Sequence, residues 1–469
     1  MVVKNSNSNS NSNPKNSTAF FHKNNKIFIF IRSKSVSILK SIKMDINVFI
    51  FRRDLRINDN LAFVNLMHHI GQTNKIYPIF IFNPKQIYAK NNAYFSNNAV
   101  QFMIESLDDL ENDIHVNYYE GDDIKILEKI NTKYNIKNIA FNKDYTPFSI
   151  SRDDKIITWC KKQDINVITE EDYTLFKIGS ILNTNQKPYQ VFTPFYKNCS
   201  HLDVAKPIKV NNTQLHVIKD VTNFDKHKYY KKNDFIAVRG GRKNALERLK
   251  VKMNEYAKLR DYPSLDHTTK LSAYIKFGCI SIREVYNTYY GNKDLIRELI
   301  WREFYAHIMY HFPHIIGKSF KEKYDKVKWS NNKKWFKLWC EGKTGYALVD
   351  AGMRQLNQTG WMHNRVRMIV AMFLTKDLLI DWRWGEKYFA TKLVDYDPAS
   401  NNGGWQWSAS TGTDAQPYFR IFNPDLQIKK YDKDYEYIKK WNPDYLNTKK
   451  IVDHTTRAKI AINIFRNIR

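Results

Sequence analysis

The sequence predicts an α/β domain with a doubly wound parallel sheet, followed by an all-α domain. From Met44 onward, short apolar runs alternate with amphipathic stretches of helical period. Beyond about residue 235 the periodicity is almost purely helical. A stretch with three prolines, scattered lysines and no sustained period separates the two parts. The length of 469 residues exceeds what one compact core normally holds, which agrees with two domains.

The first domain is assigned to residues 44–172 because strands and helices alternate along it. Helical periodicity occurs at residues 97–110 and 124–134, between apolar runs. Strands joined by helical crossovers run parallel, so this order predicts a mostly parallel sheet. No G-x-G-x-x-G motif follows the first strand, so the usual dinucleotide fingerprint is missing. The candidate strands are residues 48–51, 76–82, 115–119, 139–141 and 167–168.

Residues 173–234 are predicted to form a connector, and residues 235–469 to form the helical domain. The connector contains Pro188, Pro194 and Pro207 and shows no regular period. In the helical part, apolar residues recur at spacings of three and four. The candidate helices are residues 244–256, 282–290, 294–310, 346–359, 366–379 and 386–393, with a basic helical end at 455–469.

Residues 1–43 are predicted to be a disordered basic extension. They contain eight lysines and arginines, no acidic residue and a repeating Ser-Asn tract. An organelle transit peptide is the alternative, although such peptides favour arginine and this segment is mostly lysine.

The charge of the chain favours a polyanionic partner. Lys and Arg total 75 against 47 Asp and Glu, a net charge of +28 that suits nucleic acid. The alternative is codon bias, since Asn, Lys and Ile are abundant throughout. Four widely spaced cysteines suggest neither a disulfide framework nor a zinc or other metal site, and they indicate a reducing, intracellular location. The apolar run at residues 27–31 is too short to span a membrane.

The segment 395–407 is the strongest candidate for a ligand site. It holds two acids, three amides, two glycines and two tryptophans, a combination that is costly to bury unless a ligand satisfies it. In residues 361–368, helical spacing places Asn364, Arg367 and Met368 on one face and directs Arg365 elsewhere. No motif for hydrolysis or phosphoryl transfer occurs.

With these motifs the chain resembles the photolyase/cryptochrome flavoprotein family from Met44 to about Tyr445. The resemblance rests on residues 51–56, 240–241, 268–272, 276–278, 298–305, 342–346, 361–368, 401–407 and 411–414. It implies an α/β antenna domain and a helical domain that binds FAD. The cofactor-binding residues that it implies are Tyr256, Thr268, Thr269, Lys270, Leu271, Ser272, Arg302, Asn364, Arg367, Asp395, Asp397 and Asn401.

The resemblance also implies an electron-transfer chain from the flavin to the surface. Trp405, Trp382 and Trp329 match its proximal, middle and distal members, although hydrophobic packing explains most buried tryptophans. Asn401 would face the reactive flavin nitrogen, and its amide is the group that repair enzymes of this family carry there. Trp335, Trp339 and Trp384 are interpreted as packing residues.

On the substrate side the chain is most similar to class I cyclobutane pyrimidine dimer photolyases. The resemblance implies that Trp301 and Trp407 hold a flipped-out dimer by stacking, and that Glu298 hydrogen-bonds the dimer and takes part in catalysis. His363 is interpreted as structural. The DNA-binding residues expected are Arg260, Glu298, Trp301, Asn364, Arg365, Met368, Trp407 and Arg420.

The implied reaction is light-driven electron transfer from reduced FAD to a pyrimidine dimer in double- or single-stranded DNA. A cryptochrome-type photoreceptor is the alternative, and a nicotinamide-dependent oxidoreductase lacks a fingerprint. Phe148 and Ser149 replace the Asn-Glu pair of folate-binding members, so the identity of a second, antenna chromophore stays open. The family resemblance suggests a monomer that acts on DNA in the nucleus or cytoplasm, without a membrane segment.

Overall fold

The computed structural model of the protein describes residues 43–71, 75–210, 215–220 and 223–468. A parallel sheet with helices on both faces precedes a part built almost entirely of helices. The predicted basic extension, apart from Lys43, lies outside the described residues. Within the described ranges, no helix is both long enough and apolar enough to cross a bilayer.

The sheet contains the five predicted strands and one further short strand. All pairings between strands are parallel, and the order is β3-β2-β1-β4-β5, with β6 also pairing with β2. This confirms the predicted parallel sheet. The strands are β1 (Asp45–Phe51), β2 (Lys75–Phe82), β3 (Asn117–Glu120), β4 (Asn135–Asn142), β5 (Asn166–Glu170) and β6 (His216–Val217).

Alternating side chains of β1 build two cores, one on each face of the sheet. Val48 and Ile50 lie in the core that α4 and α5 cover, whereas Phe49 and Phe51 lie in the core that α1 and α3 cover. This alternation follows from the two-residue period of a strand. The helices of this part are α1 (Leu61–Ile70), α2 (Pro84–Ile87), α3 (Asn97–Leu110), α4 (Asp123–Lys133) and α5 (Pro147–Lys162).

The connector contains regular structure, which the sequence prediction missed. Residues 173–234 include the helix α6 (Phe192–Cys199) and strand β6. Phe192, Phe195 and Cys199 lie on the buried face of α6. The helix α6 has only eight residues, one of them a proline, so its apolar period is too short to be recognised in the sequence.

The second part of the described chain consists of thirteen α-helices and several single turns. The helices are α7 (Arg242–Leu249), α8 (Tyr256–Leu259), α9 (Ser272–Lys276), α10 (Ile282–Thr288), α11 (Lys293–His311), α12 (Lys333–Glu341), α13 (Ala347–Thr359), α14 (Asn364–Met372), α15 (Trp382–Lys392), α16 (Pro398–Ala409), α17 (Pro424–Tyr431), α18 (Glu436–Trp441) and α19 (His454–Arg466).

Two of the predicted helices differ in geometry from those observed, and the helix expected at 386–393 begins four residues earlier, at Trp382. The single helix expected at 244–256 is wrong, because the chain leaves helical geometry between α7 and α8. There, the Tyr289 hydroxyl donates to the carbonyls of Leu249 and Val251 at 3.2 and 3.1 Å, so tertiary contacts replace the helical bonds. The helix expected at 366–379 begins at Asn364 and changes at Phe373–Asp377 to a π-helical turn.

A buried network of four charges joins the sheet to the helical part. Arg283 of α10 contacts Asp59 at 3.0 Å and Asp172 at 2.6 Å, and Arg56 contacts Asp172 at 2.5 Å. All four side chains are at most 5% exposed. The network ties the segment after β1, the segment after β5 and α10 together, and thereby orients the two parts.

Candidate active site

Most of the residues singled out from the sequence meet at one cavity of about 510 Å³. It lies among α9, α11, α14, α15 and α16, with the end of α8 at its edge. The predicted residues that line it are Arg260, Thr269, Ser272, Glu298, Trp301, Arg302, Asn364, Arg367, Met368, Asp395, Asp397, Asn401, Trp405 and Trp407.

Helical spacing explains how α14 serves this cavity. Asn364, Arg367 and Met368 line it, as the sequence predicted. Arg365 turns away, pairing with Asp261 at 2.7 Å and lying 4.5 Å from the centre of the Tyr431 ring. One helix therefore presents one group of side chains to the cavity and a guanidinium to the surface outside it.

Arg367 and Asp395, both expected from the resemblance to bind the cofactor, form an ion pair at the cavity. The Arg367 Nη2 atom lies 2.9 Å from Asp395 Oδ2, and Arg367 Nε donates to the Met362 carbonyl at 2.7 Å. The hydroxyl of Ser272 donates to the same carboxylate at 2.7 Å. Asp395 is almost fully buried, so this arrangement holds a fixed cation and a fixed anion side by side at the cavity wall.

A second group of charges surrounds Asp397 at the start of α16. Asp397 accepts a hydrogen bond from the Ser400 amide at 3.0 Å and pairs with Arg53 at 3.2 Å. Burial alone would raise the pKa of Asp397, but Lys276, Arg53 and Arg302 together lower it to about 2. Neither Arg53 nor Lys276 was assigned a role from the sequence, although they stand in the motifs at 51–56 and 276–278, respectively.

Lys276 borders both this cavity and a second one. Burial and the neighbouring Arg53 lower the pKa of Lys276 to about 8, against the opposite effect of Asp397 and Asp144. With this pKa the lysine is mostly protonated at pH 7, and an anion in either cavity would further favour its charged form.

Only some of the cofactor-binding residues expected at 268–272 line the cavity. Thr269 and Ser272 line the cavity, while Leu271 is buried and Lys270 pairs with Asp266 at 2.8 Å. The loop before α9 is held by Arg248, which donates to the carbonyls of Thr268 and Thr269 at 2.6 and 2.7 Å. Nothing in the local sequence distinguished Arg248, since its partners lie about twenty residues further along the chain.

At the mouth of the cavity, Arg260 pairs with Glu298 at 2.6 Å. Burial works to lower the pKa of Arg260, but the Glu298 carboxylate outweighs it and the pKa is raised. The charge of Glu298 is thus offset by a guanidinium. The Tyr256 ring lies 5.6 Å from the Arg260 Cζ atom. Arg420 is exposed in the segment after α16 and does not line the cavity.

Asn401 stands in the first turns of α16 and faces the cavity. Its side-chain amide donates to the Glu386 carbonyl at 3.1 Å, and the amide of Asn402 donates to the Glu386 carboxyl at 2.9 Å. Burial raises the pKa of Glu386 to about 7. These contacts fix the orientation of the Asn401 amide, so that its carbonyl oxygen is left for a ligand.

The three predicted electron-transfer tryptophans belong to one apolar cluster. Trp405 and Trp382 are buried and Trp329 is partly buried. Neither Trp382 nor Trp329 has a hydrogen-bond partner for its indole nitrogen within the described residues. Gly385 allows Trp405 to approach α15, because a Cβ atom there would lie 2.1 Å from the indole.

His363 is placed as a structural residue, in agreement with its interpretation from the sequence. Its Nδ1 atom accepts a hydrogen bond from the Arg365 amide at 3.2 Å and caps the start of α14. Burial lowers the pKa of His363 to about 4, so the side chain is neutral at pH 7 and is committed to the helix end.

The second cavity, of about 490 Å³, lies between the sheet and the helical part. Phe148 and Ser149, where the sequence departs from folate-binding members, line it. Arg52 also lines it, and the Nε and Nη2 atoms of this buried guanidinium have no hydrogen-bond partner among the described residues. The further charged residues at this cavity are Arg53, Lys85, Asp123, Asp144, Arg152, Lys276 and Glu386.

Two family models match the chain. That of DNA photolyase covers residues 47–212, and that of the FAD binding domain of DNA photolyase covers residues 295–465. The cavity residues on α11, α14, α15 and α16 all fall within the second match.

Curated relatives and a solved structure agree with these matches. The deoxyribodipyrimidine photo-lyase of Alkalihalophilus pseudofirmus is 36% identical over 84% of this chain and 86% of its own. The enzyme of the same name from Escherichia coli is 34% identical over 84% and 88%. The crystal structure of the archaeal photolyase from Sulfolobus tokodaii with two FAD molecules has a TM-score of 0.82 and 39% identity, covering 91% of this chain and all of that one.

Proposed function

The chain belongs to the DNA photolyase family, and we propose that it repairs cyclobutane pyrimidine dimers in DNA as a light-dependent carbon–carbon lyase. The observation that carries this proposal is the single cavity in which charged, amide and aromatic side chains of the second family match converge. Each of these residue types alone occurs in many sites, whereas their combination in one cavity is specific.

The residues at the cavity fit FAD. Arg367 and Asp395 would hold the polar edge of the isoalloxazine ring, and the oriented Asn401 amide would face its central ring. Thr269, Ser272 and the neighbouring backbone would hold the phosphate side. When bound and reduced, FAD supplies the electron that, after absorption of light, opens the cyclobutane ring and is then returned.

The walls of the same cavity fit a flipped-out pair of damaged bases. Trp301 on α11 and Trp407 on α16 both line it, and stacking on aromatic rings is the main source of affinity for an extruded base. Arg260 offsets the charge of Glu298, so this carboxylate can accept hydrogen bonds from a base without adding a net negative charge beside it. Asn364 and Met368 would complete this wall.

Arginine side chains outside the cavity would hold DNA by its phosphates. Arg365 lies on the side of α14 that faces away from the cavity, with its side chain 15% exposed, and Arg420 is exposed on the segment after α16. Contacts of this kind are independent of sequence and weaken as salt rises. The substrate that we propose is DNA that contains a pyrimidine dimer, in double- or single-stranded form.

Replacing Trp382 by phenylalanine should remove most of the photoreduction of bound FAD, because phenylalanine is not oxidised under these conditions and interrupts the predicted chain. Dark binding of DNA should stay unchanged. The rate of loss of oxidised-flavin absorbance under blue light measures the effect. Trp384→Phe is the matched control. Trp384 stands two residues after Trp382 on the same helix but is interpreted as a packing residue, and its ring contacts Phe336 at 5.1 Å. Equal rates in both variants would contradict the assignment.

The second cavity would hold an antenna chromophore of the phosphorylated flavin type. Arg52 pairs with Asp153 through Nη1 at 2.7 Å, and its remaining Nε and Nη2 atoms, which have no partner among the described residues, suit a phosphate. Phe148 supplies an aromatic surface for a planar ring. The Sulfolobus tokodaii relative, with its two FAD molecules, supports a second flavin. The class I assignment, a monomeric state and action on DNA in the nucleus or cytoplasm are parts of the same proposal.

The decisive test is repair of a thymine cyclobutane dimer in an oligonucleotide by the FAD-loaded, reduced protein under blue light. A dark sample and an oligonucleotide with a (6-4) lesion serve as controls. We expect loss of the cyclobutane dimer alone and only in the light. Absence of repair by fully flavin-loaded protein would contradict the enzyme proposal and favour the photoreceptor alternative.

A further inference from the structure

Trp301 is held from behind by a residue of the connector. The ring of Phe192 stacks on the indole at a centroid distance of 3.6 Å and an angle of 5°. Phe304 and Tyr305 contact the indole at 5.7 and 5.6 Å, at interplanar angles of 81° and 33°. One face of Trp301 is thus fully covered, and the face opposite Phe192 is the one available at the cavity that Trp301 lines.

Phe192 is in turn fixed by the segment that follows α16. It is the first residue of α6, whose N-cap position lacks a side-chain hydrogen bond of its own. The Asp414 carboxylate supplies that contact by accepting from the Phe192 amide at 3.0 Å. Thr413 donates to the carbonyl of Gln190, two residues before Phe192. A carboxylate at this position accepts a hydrogen bond from an amide that has no partner within the helix, and its negative charge interacts favourably with the positive end of the helix dipole.

The segment 411–414 is itself tied to the helix that carries the other wall. The amides of Thr411 and Gly412 donate to the Gln406 carbonyl at 3.0 and 3.2 Å. Gln406 precedes Trp407 on α16. A continuous set of contacts therefore runs from the Trp407 helix through the segment 411–414 and Phe192 to Trp301, and it connects the two walls of the cavity.

We propose that Phe192, held by Asp414, is a positioning residue that fixes the plane of Trp301 and the gap between the two walls, and so sets the preference for a dimer over undamaged DNA. The inference rests on the proposed role of Trp301 as a stacking wall. It gives a role to the motif at 411–414 and to α6, neither of which the sequence analysis connected with the substrate.

The physical reason is that stacking depends on the angle between the rings. The second torsion of a tryptophan side chain has a broad minimum, so without a planar ring behind it the indole can tilt. An aromatic pair contributes an amount equivalent to about two- to twelvefold in an equilibrium constant. Binding to undamaged DNA depends on phosphates and should not sense the tilt.

The test is a double-mutant cycle with Phe192→Leu and Trp301→Leu, measured in the dark with FAD-loaded protein. Fluorescence anisotropy gives the affinities for an oligonucleotide with a thymine dimer and for the same oligonucleotide without it. Phe192→Leu should weaken dimer binding about two- to twelvefold while leaving undamaged DNA unaffected. The loss should vanish in the Trp301→Leu background, and Phe192→Tyr should restore wild-type affinity.

Phe195→Leu is the matched control. Phe195 is equally buried on the same helix but packs against Phe304 and His307 at 5.3 and 5.0 Å. Its substitution should leave the preference for the dimer unchanged, whereas Asp414→Ala should reduce that preference in the same direction as Phe192→Leu. An equal loss in Phe195→Leu, or an undiminished preference in Phe192→Leu when Trp301→Leu abolishes it, would overturn the inference and leave the proposed function standing. If Trp301→Leu had no effect on dimer binding, both the proposed stacking role of Trp301 and this inference would be contradicted.

Discussion

Replacement of Asp172 by asparagine should lower the free energy of unfolding by about 3–5 kcal/mol. Asp172 accepts from Arg56 and Arg283, and its side chain is 0% exposed. Removing its charge leaves two guanidinium groups with Asp59 as the only remaining carboxylate of the network. Breaking such a buried pair is costly because neither cation can regain water. Denaturation in urea, followed by tryptophan fluorescence, measures the effect.

The matched control for this prediction is Glu247→Gln. Glu247 pairs with Lys250 at 2.7 Å on the surface of α7, where both side chains are more than 60% exposed. Exposed pairs contribute about 0–1 kcal/mol, so this variant should unfold near the wild-type midpoint. If Asp172→Asn were no less stable than the control, the buried network would not hold the two parts together.

The sheet was predictable because its strands carry their own signal. β1, β2 and β4 contain apolar runs, and their residues are buried almost continuously because helices cover both faces of the sheet. The strand β6 has only two residues and is defined by its pairing with β2, so the local sequence contains no pattern that predicts it. The break between α7 and α8 depends on the hydroxyl of Tyr289, about forty residues away, which no local period can reveal.

The site was predictable where function depends on spacing along one helix. The face of α14 with Asn364, Arg367 and Met368 follows from the three-four rule. What the sequence could not show are contacts between distant segments. The pairing of Arg53 with Asp397 spans 344 residues, and the stacking of Phe192 on Trp301 joins the connector to α11.

Replacement of Arg367 by methionine should weaken binding of FAD by about 2–5 kcal/mol, which is roughly thirtyfold or more. The change removes a cation from the cavity and leaves the Asp395 carboxylate, 4% exposed, with Ser272 as its remaining partner at the cavity. An unpaired carboxylate beside an anionic cofactor opposes binding, so attraction is lost and repulsion is added. The ratio of flavin to protein after purification, and fluorescence of the flavin released on dilution, measure the loss.

Two further variants separate the charge effect from general damage to α14. In Arg367→Met combined with Asp395→Asn, the orphaned negative charge is gone, and part of the FAD affinity should return. Arg365→Met changes the same kind of side chain two residues earlier, where it contacts Asp261 and Tyr431 outside the cavity. That variant should retain FAD and bind DNA less tightly. If Arg365→Met lost FAD as readily as Arg367→Met, the helix itself and not the Arg367–Asp395 pair would determine retention of the cofactor.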